Sequence, residues 1–459
     1  MPMSLDSKTP QMTKQLVLPF MRKGEARPAE RSEEALSAAQ EPEDPGRCSL
    51  MERVLSRDNL MAALKRVRKN KGSPGIDGMT VNELGPYLRE NWPRLRGELL
   101  AGTYKPQVVR QKLIPKDGGK TRMLGIPTVV DRFIQQALLQ VMQPIYEPTF
   151  SDHSHGFRPQ RSTHGALSEA QAYAEEGKTW VVDVDLSKFF DMVNHDILMG
   201  RVARRVGDRR VLGLIRRYLN AGILADGVVV RRHKGTPQGG PLSPLLANIL
   251  LDDVDQELER RGHAFVRYAD DSRVFVRSQR AGERVMQLLH RLYGKLQLVI
   301  NEEKSAVALY SKRPFLGYKM FPMKSGGVGL APAAKSIERI REVVRKITRR
   351  SVGRSLKQVI ATLTPKMRGW RNYYRLCTYP SAMRGLGGWI RRRLRALQLS
   401  QWKNCATIAR QARALGASAR QVRWITAFTG RWWRAAHHPS HSILTLRYFD
   451  DLGLPRLVT

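Results

Sequence analysis

Tyr268-Ala269-Asp270-Asp271 stands between two short apolar runs, Ala264-Phe265-Val266-Arg267 and Ser272-Arg273-Val274-Phe275-Val276. Both flanks read as β-strands, so the spacing predicts a hairpin with the acid pair in its turn. Two like charges in a tight turn repel, and a divalent cation relieves that repulsion. Asp-Asp also occurs in solvated turns, so the pair alone leaves both a metal site and a plain turn open.

A second segment narrows the choice. Trp180-Val-Val-Asp183-Val-Asp185-Leu186 carries acids where a core strand carries Val or Ile, and Phe189-Phe190-Asp191 follows. A helix cap accounts for Asp191, but not for Asp185 at the end of an apolar run. Carboxylates on two strand ends suit two Mg²⁺ ions, which need hard oxygen ligands that hold the ions about 4 Å apart for in-line phosphoryl transfer. One ion would activate an attacking 3′-hydroxyl, and the other would hold a triphosphate and its leaving pyrophosphate.

The chain of 459 residues is long enough for two to four domains. Its formal charge of +38 points to a polyanionic partner, with nucleic acid first. From Ala331 to Thr459 there are 27 Lys and Arg against 4 Asp and Glu, so this stretch carries +23 of the total. Cys48, Cys377 and Cys405 form no CxxC pair, which argues for a reducing compartment and against a disulfide framework or a cysteine-ligated zinc. No run of 18 apolar residues predicts a membrane span, and no signal-peptide core is visible.

Residues 1–47 are polar, charged and Pro-bearing, the composition of a disordered leader. Leu50 to Val67 reads as helix, and the glycine-rich basic loop Lys69-Asn-Lys-Gly-Ser-Pro-Gly-Ile-Asp77-Gly follows. Arg110-Gln-Lys-Leu-Ile-Pro-Lys116, Asp117-Gly-Gly-Lys120 and Arg122-Met-Leu-Gly-Ile-Pro predict a hairpin with basic arms. Asp131 to Ile145 has helical spacing. Beyond about residue 330, Ile337, Ile340, Val343, Val344 and Ile347 make one helical face, surrounded by Arg341, Arg345, Lys346, Arg349 and Arg350. Basic helices continue to about Leu415.

Eight motifs now stand in order: Gly72-Ser-Pro-Gly-Ile-Asp-Gly, Ile114-Pro-Lys with Gly125-Ile-Pro, His155-Gly-Phe-Arg-Pro, the Asp185 segment, Thr236-Pro-Gln-Gly-Gly, Tyr268-Ala-Asp-Asp, Asn301-Glu-Glu-Lys-Ser and Phe315-Leu-Gly-Tyr. From about residue 50 to 455 the chain resembles a group II intron-encoded protein, a reverse transcriptase with a maturase domain. The short end after the helices resembles the compact bacterial class C-like type without an HNH endonuclease. The resemblance implies an α/β right-hand polymerase, with fingers and a palm built on antiparallel sheet, followed by an α-helical thumb and maturase X domain. The expected divisions are a leader at 1–47, an N-terminal extension and start of the fingers at 48–103, and fingers and palm at 104–325. A thumb and X domain at 326–420 and a short basic tail at 421–459, DNA-binding or structural, complete them.

By position, the resemblance implies that Asp185, Asp270 and Asp271 are catalytic carboxylates binding two Mg²⁺ ions, with Mn²⁺ able to substitute and the Leu186 carbonyl as a further ligand. Asp183 falls outside that set and is expected to be structural. Lys116 and Arg122 are expected to clamp the incoming triphosphate, which needs positioned cations; read alone, they are a solvated basic face. Phe190 is expected to block a ribose 2′-hydroxyl, although a core aromatic is the simpler reading of the residue itself. Gln238 is expected near template and nucleotide, in a glycine-rich turn that admits close backbone approach. Leu316-Gly317 resembles the primer grip.

Trp370-Arg371-Asn372-Tyr373-Tyr374-Arg375 and Trp389-Ile-Arg391-Arg392-Arg393-Leu-Arg395 interleave rings and cations as RNA-binding surfaces do. Arg371, Tyr373, Tyr374, Arg375, Arg391, Arg392, Arg393 and Arg395 are the expected RNA contacts, with some aromatics packing the core. No acidic residue or cysteine stands near His437 and His441 in the sequence, and Pro439 disfavours the helix that would aim them together, so no zinc site is expected. Gly119-Lys120-Thr121 lacks the glycine a phosphate loop needs at position 114, which is Ile. His195 at a helix start is expected to hydrogen-bond structurally.

The implied activity is RNA-directed DNA synthesis from dNTPs that copies intron RNA for retrohoming, with intron RNA binding that assists splicing. The implied partners are group II intron RNA, an RNA template with a DNA primer, and target DNA, for a monomer or homodimer in the bacterial cytoplasm, associated with nucleoid or ribonucleoprotein. The alternatives are a domesticated, defence or repair reverse transcriptase, and an RNA-binding maturase without polymerase activity.

Overall fold

In a computed structural model, the described residues are 50–115, 121–225, 228–230, 234–236, 239–437 and 440–458. Their strands are β1 (Val109–Pro115), β2 (Thr121–Ile126), β3 (Trp180–Val184), β4 (Ile223–Ala225), β5 (Val228–Val230), β6 (Ala264–Tyr268), β7 (Asp271–Val276), β8 (Ala306–Leu309), β9 (Tyr318–Pro322) and β10 (Val328–Pro332). They form three sheets, ordered β2-β1-β4-β5, β6-β7-β3-β8 and β10-β9. The chain divides into two compact units. The first comprises residues up to Ser162, Val182–Val274 and Arg280–Ala306; the second comprises Thr163–Val181, Phe275–Gln279 and Val307–Thr459.

In the first unit, the expected basic hairpin is present. β1 and β2 pair antiparallel, with Leu113 opposite Met123 and Ile114 opposite Arg122. The helix Arg57–Asn70 buries Leu60, Ala63, Leu64 and Val67, the i, i+3, i+4, i+7 stripe of an amphipathic helix. Each such Leu contributes roughly 1.5–3 kcal/mol on burial. The helix expected from Leu50 is broken, because Leu50–Val54 ends before extended Ser56 opens Arg57–Asn70. Asn59 Nδ2 donates to the Val54 carbonyl at 2.8 Å and so satisfies an acceptor that the break frees. The helix Val129–Tyr146 starts at Thr128, whose hydroxyl accepts from the Asp131 amide. The helix Ser243–Arg260 buries residues all round its first turns, as a central helix does.

β3 buries Val181, Val182 and Val184 and leaves Asp183 half-buried. In β6, Phe265, Val266 and Arg267 are buried, and in β7 so are all residues after Asp271. A strand walled on both faces explains the continuous apolar runs.

In the second unit, β9 and β10 pair antiparallel. The helices Ala334–Ile347, Leu356–Tyr373, Pro380–Trp402, Cys405–Ala414 and Ala419–Thr426 follow. Ile340 and Val344 of the expected apolar face are buried, with Val343 and Ile347 packed against the same core. The residues expected as a short tail supply Val422, Ile425, Ile443, Leu444, Phe449, Leu454 and Leu457 to that core. Among the described residues, no helix is long and apolar enough to cross a membrane.

Candidate active site

β6 and β7 are joined by Ala269 and Asp270, so the hairpin turn is two residues long. Asp270 sits in the turn, and Asp271 is the first residue of β7 rather than part of the turn. Ala269 takes a left-handed conformation with φ of 60°, which a two-residue hairpin turn demands. Asp185 follows the end of β3, the neighbour of β7 in the sheet. Adjacent strand ends thus bring the Asp270-Asp271 pair together with Asp185, which lies 85 residues before it in sequence.

These groups feel one another. Burial first, and then the charges of Asp183, Asp270 and Asp185, push the Asp271 carboxyl up to about 7, against the pull of Arg273. Excess negative charge on hard oxygen donors fits a divalent cation. Among the described residues, no three His, Cys, Asp or Glu side chains stand together as a group that could hold a metal ion by themselves. Mg²⁺ is ordinarily held by one or two carboxylates and completed by water and substrate phosphates, so an open set of acids suits it.

The backbone around Asp185 is pinned from residues 299–305. The Asp185 amide donates to Ser305 Oγ at 3.0 Å, and its carbonyl accepts from the Asn301 amide at 2.8 Å. The Ser187 amide donates to the Val299 carbonyl at 2.9 Å. These bonds flank Leu186 in an antiparallel bridge with Ile300, so the Leu186 carbonyl points away from that partner. Lys304 Nζ meets Asp185 Oδ2 at 2.8 Å. The motif Asn301-Glu-Glu-Lys-Ser was legible in sequence, but its contact with Asp185 was not. Asp183 pairs with the buried Arg273, Oδ1 to Nε at 3.2 Å, a structural ion pair.

Phe190 is half-buried, with its ring 5.1 Å from that of Phe189 in an edge-on contact. Its carbonyl accepts from the Thr236 amide at 2.7 Å, tying the glycine-rich loop to the segment after Asp185. Lys116 and Gln238 lie outside the described residues, as does the Arg122 side chain. At Gly239, φ is 136° and an added Cβ would stand 2.4 Å from the Gly125 carbonyl oxygen. That glycine is required by packing against β2, where sequence suggested only room for a duplex. His195 is buried between Asn220 Oδ1 and the Gly235 carbonyl.

Two expected RNA contacts are buried instead. Arg395 is 4% exposed and donates from Nε to the Leu444 carbonyl at 2.8 Å. Burial, then neighbouring Arg391, lowers its guanidinium to about 10. Tyr374 is 6% exposed, with its ring 4.9 Å from Tyr318 and 4.5 Å from Trp370. Tyr373 is exposed, yet its hydroxyl donates to the Leu316 carbonyl at 2.8 Å, so it braces the segment resembling a primer grip. Arg393 donates to Thr348 Oγ1 at 2.7 Å, and Arg392 lies over Trp433 at 4.1 Å. The Trp389 ring has Arg341, Arg345 and Arg393 within 5.7 Å of its centroid. Arg371 and Arg391 are half-buried and Arg375 is exposed.

Residues 114–320 match the family of reverse transcriptases (RNA-dependent DNA polymerases), and residues 337–415 match the group II intron maturase-specific domain. Protein YkfC of Escherichia coli is 33% identical over 60% of this chain and 83% of its own length. Group II intron-encoded protein LtrA of Lactococcus lactis is 36% identical over 56% of this chain and 42% of its own length. An uncharacterized 91 kDa protein in a cob intron of Schizosaccharomyces pombe is 34% identical over 45% of this chain and 25% of its own length. A polymerase match over the acid-bearing sheet, a maturase match over the basic helices and a relative covered for most of its length agree: the chain belongs to the group II intron reverse transcriptase and maturase family.

Proposed function

We propose that this protein copies group II intron RNA into DNA for retrohoming and binds the same RNA to assist its splicing, in the bacterial cytoplasm. The observation that carries the reading is the gathering of Asp185, Asp270 and Asp271 on adjacent strand ends, where burial and then the neighbouring acids raise the Asp271 carboxyl. These carboxylates and the Leu186 carbonyl would hold two Mg²⁺ ions, which supply Lewis-acid activation of a primer 3′-hydroxyl and neutralise the departing pyrophosphate. The sheet fixes the acids relative to one another, so little ordering remains when substrate arrives. Lys116, Arg122 and Gln238 would contact the dNTP and template. The basic helices of the second unit would neutralise phosphates of the intron RNA.

The test is primer extension by the full chain with an RNA template, DNA primer, dNTPs and Mg²⁺. Extension that EDTA abolishes supports the reading. A folded protein that binds intron RNA tightly but extends nothing points to a maturase without polymerase activity.

Phe190→Ala is expected to relax discrimination against ribonucleotides by about tenfold to a hundredfold, the range set by one steric contact. Competitive incorporation of rNTP and dNTP checks this, and unchanged selectivity removes Phe190 from the sugar pocket.

The buried Arg395 and the half-buried or exposed arginines separate by assay. Replacing Arg371, Arg375, Arg391 and Arg392 with Gln is expected to flatten the logarithmic salt slope of RNA binding by roughly 0.7–0.9 for each phosphate that is no longer neutralised. Arg395→Gln is expected to leave that slope alone and to cost about 1.5–3 kcal/mol of stability, because the Leu444 carbonyl loses a charged, buried donor. Filter binding across salt concentrations and a thermal melt check both.

A further inference from the structure

Arg267 lies one residue before the Tyr268-Ala269-Asp270-Asp271 motif, and its side chain is 1% exposed. All five of its side-chain N–H donors are committed. Nε donates to the Asp255 carboxylate at 2.8 Å, and Nη2 donates to Asp255 Oδ2 at 2.5 Å and to Ser154 Oγ at 2.8 Å. Nη1 donates to Asn248 Oδ1 and to the Ala269 carbonyl, each at 2.9 Å. Its backbone is also fixed. The Arg267 amide donates to the His153 carbonyl at 2.9 Å, and the Arg267 carbonyl accepts from the His155 amide at 2.8 Å.

Ala269 is the residue of the turn that this network holds, through the Nη1 bond to its carbonyl. It is the left-handed residue of the turn, immediately before Asp270. On its other side stands Gly156, where an added Cβ would lie 2.2 Å from the Ala269 nitrogen. Asn248 Nδ2 donates to the Gly156 carbonyl at 2.9 Å, so the same amide that binds Arg267 also anchors the neighbouring loop. The turn is therefore gripped through its carbonyl by a guanidinium and confined at its nitrogen by Gly156. A planar fork with five donors makes these bonds at once; an ammonium with three cannot.

We propose that Arg267 is the positioning residue of the acid-bearing turn: through the Ala269 carbonyl it sets where Asp270 and Asp271 present their oxygens to divalent metal. This rests on the polymerase reading above. Groups that orient metal ligands change metal affinity or activity by about tenfold to a hundredfold when removed, and a fully satisfied buried network makes such orientation rigid.

The experiment compares wild type, Arg267→Lys and Asn248→Ala as full-length proteins. Arg267→Lys keeps the charge opposite Asp255 but loses the fork. Asn248→Ala leaves the ion pair whole and removes the shared acceptor, so it carries the test if Arg267→Lys does not fold. Mn²⁺ binding is read by electron paramagnetic resonance without substrate. Primer extension gives kcat, the dNTP KM and the affinity for template–primer. The expected result is a Mn²⁺ dissociation constant raised by about tenfold or more, with kcat down by a similar factor. Template–primer affinity stays within about twofold, and raised Mn²⁺ recovers part of the lost rate. Folded variants with wild-type Mn²⁺ affinity and kcat overturn the proposal, as does an equal loss of metal and template–primer binding. Wild type that neither binds Mn²⁺ nor extends a primer overturns the polymerase reading first, and this proposal with it.

Discussion

Asp270→Ala/Asp271→Ala is expected to extend a primer on an RNA template at less than about one-thousandth of the wild-type rate, a barrier rise of roughly 4 kcal/mol. Two of the three proposed metal-binding carboxylates vanish, and the third, Asp185, retains only its contact with Lys304. Stability is expected to hold or rise, because Asp271 is half-buried among like charges and its removal relieves them. The pair of measurements is therefore diagnostic. Rates from single-turnover extension should collapse while the thermal midpoint does not fall, and binding of intron RNA should persist. Extension at the wild-type rate would take these acids out of the chemistry.

Asp255→Ala is expected to destabilise the protein by about 3–5 kcal/mol, the cost of stranding a buried charge whose partner is gone. Asp255 is 0% exposed, and Arg267 is 1% exposed. Replacing both members with apolar residues of similar size should recover much of that loss, since neither charge then stays desolvated and alone. Urea unfolding of the single and double variants checks the pattern. Equal midpoints for wild type and Asp255→Ala would mean that the ion pair does not hold the helix Ser243–Arg260 to β6.

The acids were legible because each breaks a local rule: Asp185 ends an apolar run, and Asp270-Asp271 crowds two charges into a hairpin. The β1–β2 hairpin and the amphipathic helix Ala334–Ile347 were legible from alternation and from period. What escaped depends on partners distant in sequence. Arg395 shares a helix with Arg391, Arg392 and Arg393, and nothing local marks it as the one closed over by Leu444, Phe449 and their neighbours. Tyr374 looks like its neighbour Tyr373, yet one packs inward and the other braces Leu316. Arg267 reads as an ordinary basic residue in a strand until Asp255, Asn248 and Ser154 are seen around it. The break at Ser56 was missed because the apolar spacing continues through it.

The two compact units are interleaved along the chain, and this bears on how the protein is made and cut. The helix Thr163–Glu175 belongs with β10, where Gln171 Nε2 donates to the Val328 carbonyl at 2.7 Å. At roughly 5–20 residues per second of translation, that helix leaves the ribosome about eight to thirty seconds before its strand exists. Its apolar residues Ala166, Leu167, Ala170 and Ala174 must wait, exposed or chaperoned, until then. For the same reason a cut or a stop codon directly after residue 306 does not yield a self-sufficient polymerase half, because that fragment keeps residues 163–181 without the strand that receives them.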